Sequence, residues 1–244
     1  MVNNESKGSH SHMTKKVVHC FLASTLIILI LVPVWAADKS KDEETLKNAA
    51  TVLQTMLGSN NVPADVLARV NCVIILPDVK KFGFGIGGTG GRGPMICRLG
   101  KNFSGRWATP AMYTLGGASF GLQVGGSSTD FVLLIMSQKG VDAVLKGKTK
   151  LGNEATAAAG PSGVTHAGTV GGADILIYAD AAGLFAGTSL GAATLEPDDD
   201  ANQRLYDKTL TAKEIVVGNA VKSTPAGKEL ISLLNTKIAK RSSK

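Results

Sequence analysis

The stretch Lys80-Lys81-Phe82-Gly83-Phe84-Gly85-Ile86-Gly87, echoed by Ala118-Ser119-Phe120-Gly121-Leu122-Gln123-Val124-Gly125, decides the fold. In both, large apolar residues alternate with glycine. A period of two is that of a β-strand, with the bulky side chains on one face and the other face almost bare. Bare faces let another backbone, a helix or a flat ligand approach closely. Thr89-Gly90-Gly91-Arg92-Gly93 reads as turn material and Pro94 to Leu99 as a returning strand, which predicts a β-hairpin. Gly105-Arg106-Trp107-Ala108-Thr109-Pro110 then connects to a long second strand from Ala111 to Val124.

Outward from this stretch, Cys72 to Leu76 is an apolar, β-branched run closed by Pro77, and Phe131 to Met136 is apolar on both faces, as a central strand is. Asp174 to Ala179 and Leu184 to Leu195 are further strands, and Lys139 to Leu145 is a short helix. Ser40-Lys41-Asp42-Glu43 has the form of a capping box opening a helix. Leu46, Ala49, Ala50, Leu53, Met56 and Leu57 follow at helical spacing and stop at Gly58. Two more helices close the chain, one near Asp198-Asp199-Asp200 and one from Thr224-Pro225. Helices thus sit at both ends of a block of about six to eight strands without β-α-β alternation. The fold class expected is α+β, a largely antiparallel, Gly-rich sheet or partly closed barrel flanked by N- and C-terminal helices.

Composition narrows the function. The chain has 244 residues, 44% hydrophobic but only 5% aromatic, with 29 glycines and a formal charge of +7. Scarce aromatics and a small, dispersed positive charge argue against nucleic acid. Residues 1–36 read as a leader. Lys15 and Lys16 precede an apolar run from Phe21 to Val32, then Pro33 and the small-residue site Val34-Trp35-Ala36. The alternative is an uncleaved anchor over Val17 to Ala37. Loss of Lys7, Lys15, Lys16 and Glu5 with the leader would leave +5 on a single domain, 37–244. Export to the periplasm or outside the cell, peripheral to a membrane, is the expected localisation. Cys72 and Cys97 remain, as a disulfide permitted by an oxidising compartment or as two buried thiols.

The usual chemical signatures fail one by one. Gly85-Ile86-Gly87-Gly88-Thr89-Gly90 matches the dinucleotide fingerprint in letters, but Arg92, Gly93 and Pro94 follow where a helix must start. Gly147-Lys148-Thr149 has Asp142 where a phosphate loop needs its leading glycine. His166, alone after the leader, supports neither a nucleophile-base pair nor a zinc site. Asp198-Asp199-Asp200 fits an N-cap better than a calcium loop. No cofactor, metal or catalytic residue is expected. What remains is a binding surface: Lys80, Lys81, Phe82 and Phe84, with Arg92 and Arg98 across the hairpin, combine cations and rings as a phospholipid interface does. The competing reading turns the rings into the core and leaves the lysines in a solvated turn.

Several ordered motifs resemble the SYLF domain family. They are Lys81-Phe82-Gly83-Phe84, Arg92-Gly93, Gly105 to Pro110, Thr129-Asp130-Phe131-Val132, Leu151-Gly152, Ala159-Gly160-Pro161, Gly183 to Gly187, and Asp200-Ala201-Asn202 through Tyr206. The likeness covers about residues 43 to 236 and is that of an exported bacterial member in which the domain stands alone. It implies a non-enzymatic module that binds anionic phospholipid, phosphoinositides in eukaryotic relatives, or actin in some yeast relatives. Two alternatives stand beside lipid binding: a structural or protein-interaction module of the cell envelope, and an acyl-lipid carrier with an internal cavity. In the resemblance, Phe82 occupies a position where the family has a small residue.

Overall fold

A computed structural model describes residues 34–160, 172–181, 184–187, 190 and 193–238. The Gly-rich stretch lies in one 26-residue strand, β1 (Cys72–Cys97), which pairs antiparallel with β2 (Ala111–Ile135) from Cys72↔Ile135 to Met95↔Ala111. A straight strand of that length would span roughly 80 Å. Instead its ends meet: Cys72 and Cys97 are joined by a disulfide with their Cα atoms 4.0 Å apart. The ribbon has therefore doubled back on itself. Its facing pairs Gly83↔Gly125 and Gly85↔Gly121 carry no side chains to resist the bend, and the register shifts between Gly83 and Gly85. Where the returning half crosses the outgoing one, a Cβ on Gly91 would lie 2.7 Å from Val79 Cγ2, and one on Gly93 would overlap the Ile75 carbonyl oxygen.

This corrects the expected hairpin. No turn interrupts β1 at Thr89 to Gly93, and Gly88, Gly90, Gly91 and Gly93 do not use positive φ. Gly91 and Gly93 serve close crossing, not chain reversal. Reversal happens at 98–110, through a 3₁₀ turn at Lys101–Phe103 that begins after Gly100 at φ 83°.

β2 is the central strand. Beyond β1, its first part pairs with β7 (Thr194–Pro197) and its last part with β5 (Ile175–Ala181). β3 (Thr149–Lys150) extends β7, and β4 (Ala157–Ala159) and β6 (Leu184–Gly187) pair with β5. Among the described residues seven strands form one sheet, in which only the β4–β5 pair is parallel. The expected curled, largely antiparallel α+β architecture is what the chain adopts.

Period-two burial splits the core across this sheet. Phe131, Leu133 and Ile135 enter one apolar cluster while Val132 and Leu134 enter the other, so the Phe131–Ile135 segment is covered on both faces. On the second face lie α1 (Val34–Gly58), through Ala49, Leu53 and Met56, and α2 (Ala64–Arg69), through Val66. Leu230 and Leu234 of α6 (Pro225–Lys237) complete it. On the first face lie α3 (Gln138–Leu145), α4 (Asp199–Tyr206) and α5 (Ala212–Val216). The short α5, opened by a Thr211–Glu214 capping box, is an element the periodicity did not isolate. Helix α1 also starts before the expected cap at Ser40: it already runs through Val34, and Asp42 within it is buried.

Two consequences are measurable. The disulfide closes a loop of 25 residues, so replacing both cysteines by serine is expected to cost about 3 kcal/mol in chemical denaturation of the oxidised protein. At the same end of the sheet, just before Ile175, which faces Ile135 and through it Cys72, Asp174 is buried. Burial alone would raise its pKa, but the Ser137 hydroxyl, the Thr156 backbone N–H and hydroxyl, and Lys139 Nζ at 3.3 Å outweigh that and lower it from 3.8 to about 2. Because the folded value is the lower one, the unfolded chain takes up the proton first on acidification. This stabilisation, about 2 kcal/mol, is full above pH ~4 and lost as pH falls toward 2. Asp174→Asn should flatten the acid limb of the stability-pH curve.

Candidate membrane-contact apex and the charged cleft beside it

Along β1 the burial alternates from Val79 inward to Lys80 outward, Lys81 half-buried and Phe82 outward. Phe82 is 63% exposed; it and Val217 are the two large hydrophobics exposed among the described residues. Its cross-strand partner is Gly126, and Ser127 and Ser128 face Lys81 and Lys80. These small neighbours cannot cover the ring. The strand bends so sharply after Phe82 that its ring lies over Gly88, whose Cβ, if present, would be 2.8 Å from Phe82 Cζ.

The six candidate residues separate. Lys80, Lys81 and Phe82 are together at this apex. Lys80 Nζ is 3.4 Å from Asp78, in a pair exposed enough to be worth at most about 1 kcal/mol. Asp78 is also the acceptor for the Ser128 hydroxyl, the main cause that holds its carboxyl below the usual range. Lys81 Nζ lies 5.3 Å from the centroid of the Phe131 ring. The Phe84 side chain falls outside the described residues.

Arg92 is not on the apex. It lies beside a cleft of about 620 Å³ lined by Thr45, Lys80, Arg92, Asp198, Asp200 and Arg204 among others. Its Nη2 donates to Asp42 Oδ1 at 2.6 Å and to Asp198 Oδ2 at 2.9 Å. Arg204 Nε donates to the other Asp42 oxygen at 2.8 Å. Asp198 also caps α4, accepting from the Ala201 N–H, which is the capping role expected of the Asp198–Asp200 run. The cleft therefore mixes charges that largely neutralise one another. Arg98 departs furthest from its expected place. It is 2% exposed, stacked 4.5 Å from the centroid of the Trp107 ring, with Nη1 donating to the Gly105 carbonyl. Its fork reads as surface charge in sequence, but the bend of β1 carries it into the core beside a Trp.

Sequence reasoning missed the Asp42 knot. The signal was present: Asp42, Leu46, Ala49 and Leu53 follow the same helical stripe, which places the carboxylate on the buried face. Among the described residues no group of three or more His, Cys, Asp or Glu is arranged to hold a metal. No helix among them is long and apolar enough to cross a membrane. The leader and anchor readings of residues 1–36, and His166, fall outside the described residues, apart from the backbone of 34–36.

The comparisons with known proteins fit this fold's motifs. Residues 116–237, half of the chain, match a family model described as "Ysc84: Las17-binding protein actin regulator". The chain is 36% identical over 191 residues to an SH3 domain-containing protein of Schizosaccharomyces pombe, covering 76% of this chain and 43% of that one. It is 32% identical over 212 residues to protein YSC84 of Saccharomyces cerevisiae, covering 82% and 44%. A third relative, the SH3 domain-containing YSC84-like protein 1 of Homo sapiens, is 30% identical over 201 residues, covering 78% and 57%. The matched region spans less than half of the two yeast relatives. Shared sequence over three quarters of its length, together with the family match, means that the chain belongs to the Ysc84/SYLF family.

Proposed function

We propose that this chain is a non-enzymatic, exported module that contacts anionic phospholipid through the β1 apex. The observation that carries the reading is Phe82, 63% exposed between small residues and beside Lys80 and Lys81. A bare ring costs solvation in water and gains by entering the acyl boundary, while adjacent ammonium groups meet headgroup phosphates. The Cys72–Cys97 bridge supports an oxidising location outside the cytoplasm.

The family description, which names a Las17-binding protein and actin regulator, supports a second reading in which the apex meets a protein. An acyl carrier is the weaker reading, because the cleft beside the apex is lined by ionic groups that an alkyl chain would have to desolvate.

Co-sedimentation with vesicles tests the first reading against the second. Binding to anionic vesicles should exceed binding to neutral ones, weaken with salt, and fall roughly tenfold in Phe82→Ser. Equal, negligible pelleting with both vesicle types would leave the protein-interaction reading in its place.

A further inference from the structure

We infer, resting on that membrane reading, that the apex responds to the charge density of a phospholipid surface and not to one headgroup, with Phe82 as its apolar anchor. A site for a multiply phosphorylated headgroup needs several cations or backbone N–H groups converging on one point with their charge unspent. Around this apex the cations are dispersed or committed. Arg92 is held by Asp42 and Asp198, and Arg204 by Asp42. Arg98 is in the core against Trp107.

The cleft next to Lys80 would set a polyphosphate against Asp78, Asp198 and Asp200, so each added negative charge is repelled as much as it is attracted. Among the described residues lining the apex and the cleft, that leaves Lys80 and Lys81. Lys80 is 69% exposed on a flexible stem and sheds its Asp78 partner cheaply; Lys81 is half-buried with its Nζ above Phe131. Point charges on mobile stems count charge and do not read stereochemistry. Asp78, paired with Lys80, acts as a brake on this contact.

The test uses the oxidised full chain and vesicles of phosphatidylcholine doped with either phosphatidylserine or a phosphatidylinositol bisphosphate, adjusted to the same zeta potential. The expected result is binding curves that agree within about threefold, with inositol hexakisphosphate at protein-equivalent concentration displacing nothing. Lys80→Glu with Lys81→Glu should lower binding to both vesicle types by roughly tenfold or more, and Asp78→Asn should raise both by a few-fold. Unchanged melting temperatures would show that these substitutions, at exposed Lys80 and Asp78 and half-buried Lys81, leave the fold intact. A preference above about tenfold for the bisphosphate at matched potential, or displacement by the soluble polyphosphate, overturns the inference while leaving membrane binding standing. Absence of binding to any vesicle overturns it together with the membrane reading.

Discussion

Gly93→Ala is expected to destabilise the protein by roughly 3 kcal/mol or more, a larger penalty than most single methyl groups incur. The new Cβ would overlap the Ile75 carbonyl oxygen, with the Ile75 carbonyl carbon at 2.9 Å and Pro77 Cδ at 3.1 Å behind it. These are backbone and ring atoms of the same strand's outgoing half. They cannot rotate away as a side chain can. Relief requires the two halves of β1 to separate where Ile75 and Met95 are wholly buried, and opening there disrupts both the apolar cluster and the neighbouring disulfide.

Gly90→Ala is the matched control, since its Cβ would meet nothing within 4 Å and its φ is not positive. It should leave stability within about 0.5 kcal/mol, or raise it slightly by restricting the unfolded chain. Thermal unfolding followed by circular dichroism separates them: for a chain of this size about 3 kcal/mol corresponds to a melting point lowered by roughly 10 °C. Equal melting of the two variants would refute the crossing as the reason for the glycine.

The same residues show what was legible in sequence. Alternation of bulky residues with glycine, and the doubly apolar Phe131–Met136 run, correctly announced strands and a central position, because side-chain period is a local property of the strand. The helix from Leu46 to Gly58 was equally plain. The Thr89–Gly93 run reads as a turn in sequence because glycine marks chain reversal and close backbone approach with the same letter. Only the tertiary crossing against Ile75 and Val79 distinguishes them.

Charged residues were the other source of error. Arg92 lies on β1 and Arg98, six positions on, just past its end, yet one reaches a partly exposed cleft and the other is buried against Trp107. Which environment each meets depends on the fold-over of β1 and on the 98–110 connection, and neither follows from local pattern. Phe82 was readable as one half of an alternative, and the facing Gly126 and Ser127 decide it outward.

Asp42→Ala should cost roughly 3–5 kcal/mol, because it strips a buried carboxylate from two guanidinium groups at once. Asp42 is wholly buried, while Arg92 and Arg204 keep 34% and 20% side-chain exposure. Removing the acid leaves their charge partly desolvated, with Asp198 still paired to Arg92 and Asp198 and Asp38 acting on Arg204 from farther off. The loss also unfastens three elements from one another, since Asp42 is on α1, Arg92 on β1 and Arg204 on α4. Asp42→Asn should recover only part of this, because it keeps one acceptor but turns an N–H toward a donor.

The comparison that isolates the cause is Lys39, whose bond to Asp207 joins side chains 38% and 76% exposed. Lys39→Ala should change stability by less than about 0.5 kcal/mol, and that small change should vanish in high salt. The Asp42 effect should persist there, since a buried pair is little screened. Urea denaturation of Asp42→Ala, Arg204→Met and the double variant completes the argument. If the knot is an electrostatic unit, the double variant loses less than the sum of the singles, because Arg204→Met removes one of the charges that Asp42→Ala strands. Additive losses, or a single Asp42→Ala loss below about 1 kcal/mol, would mean that packing around α1 holds the helix in place without help from the buried charge.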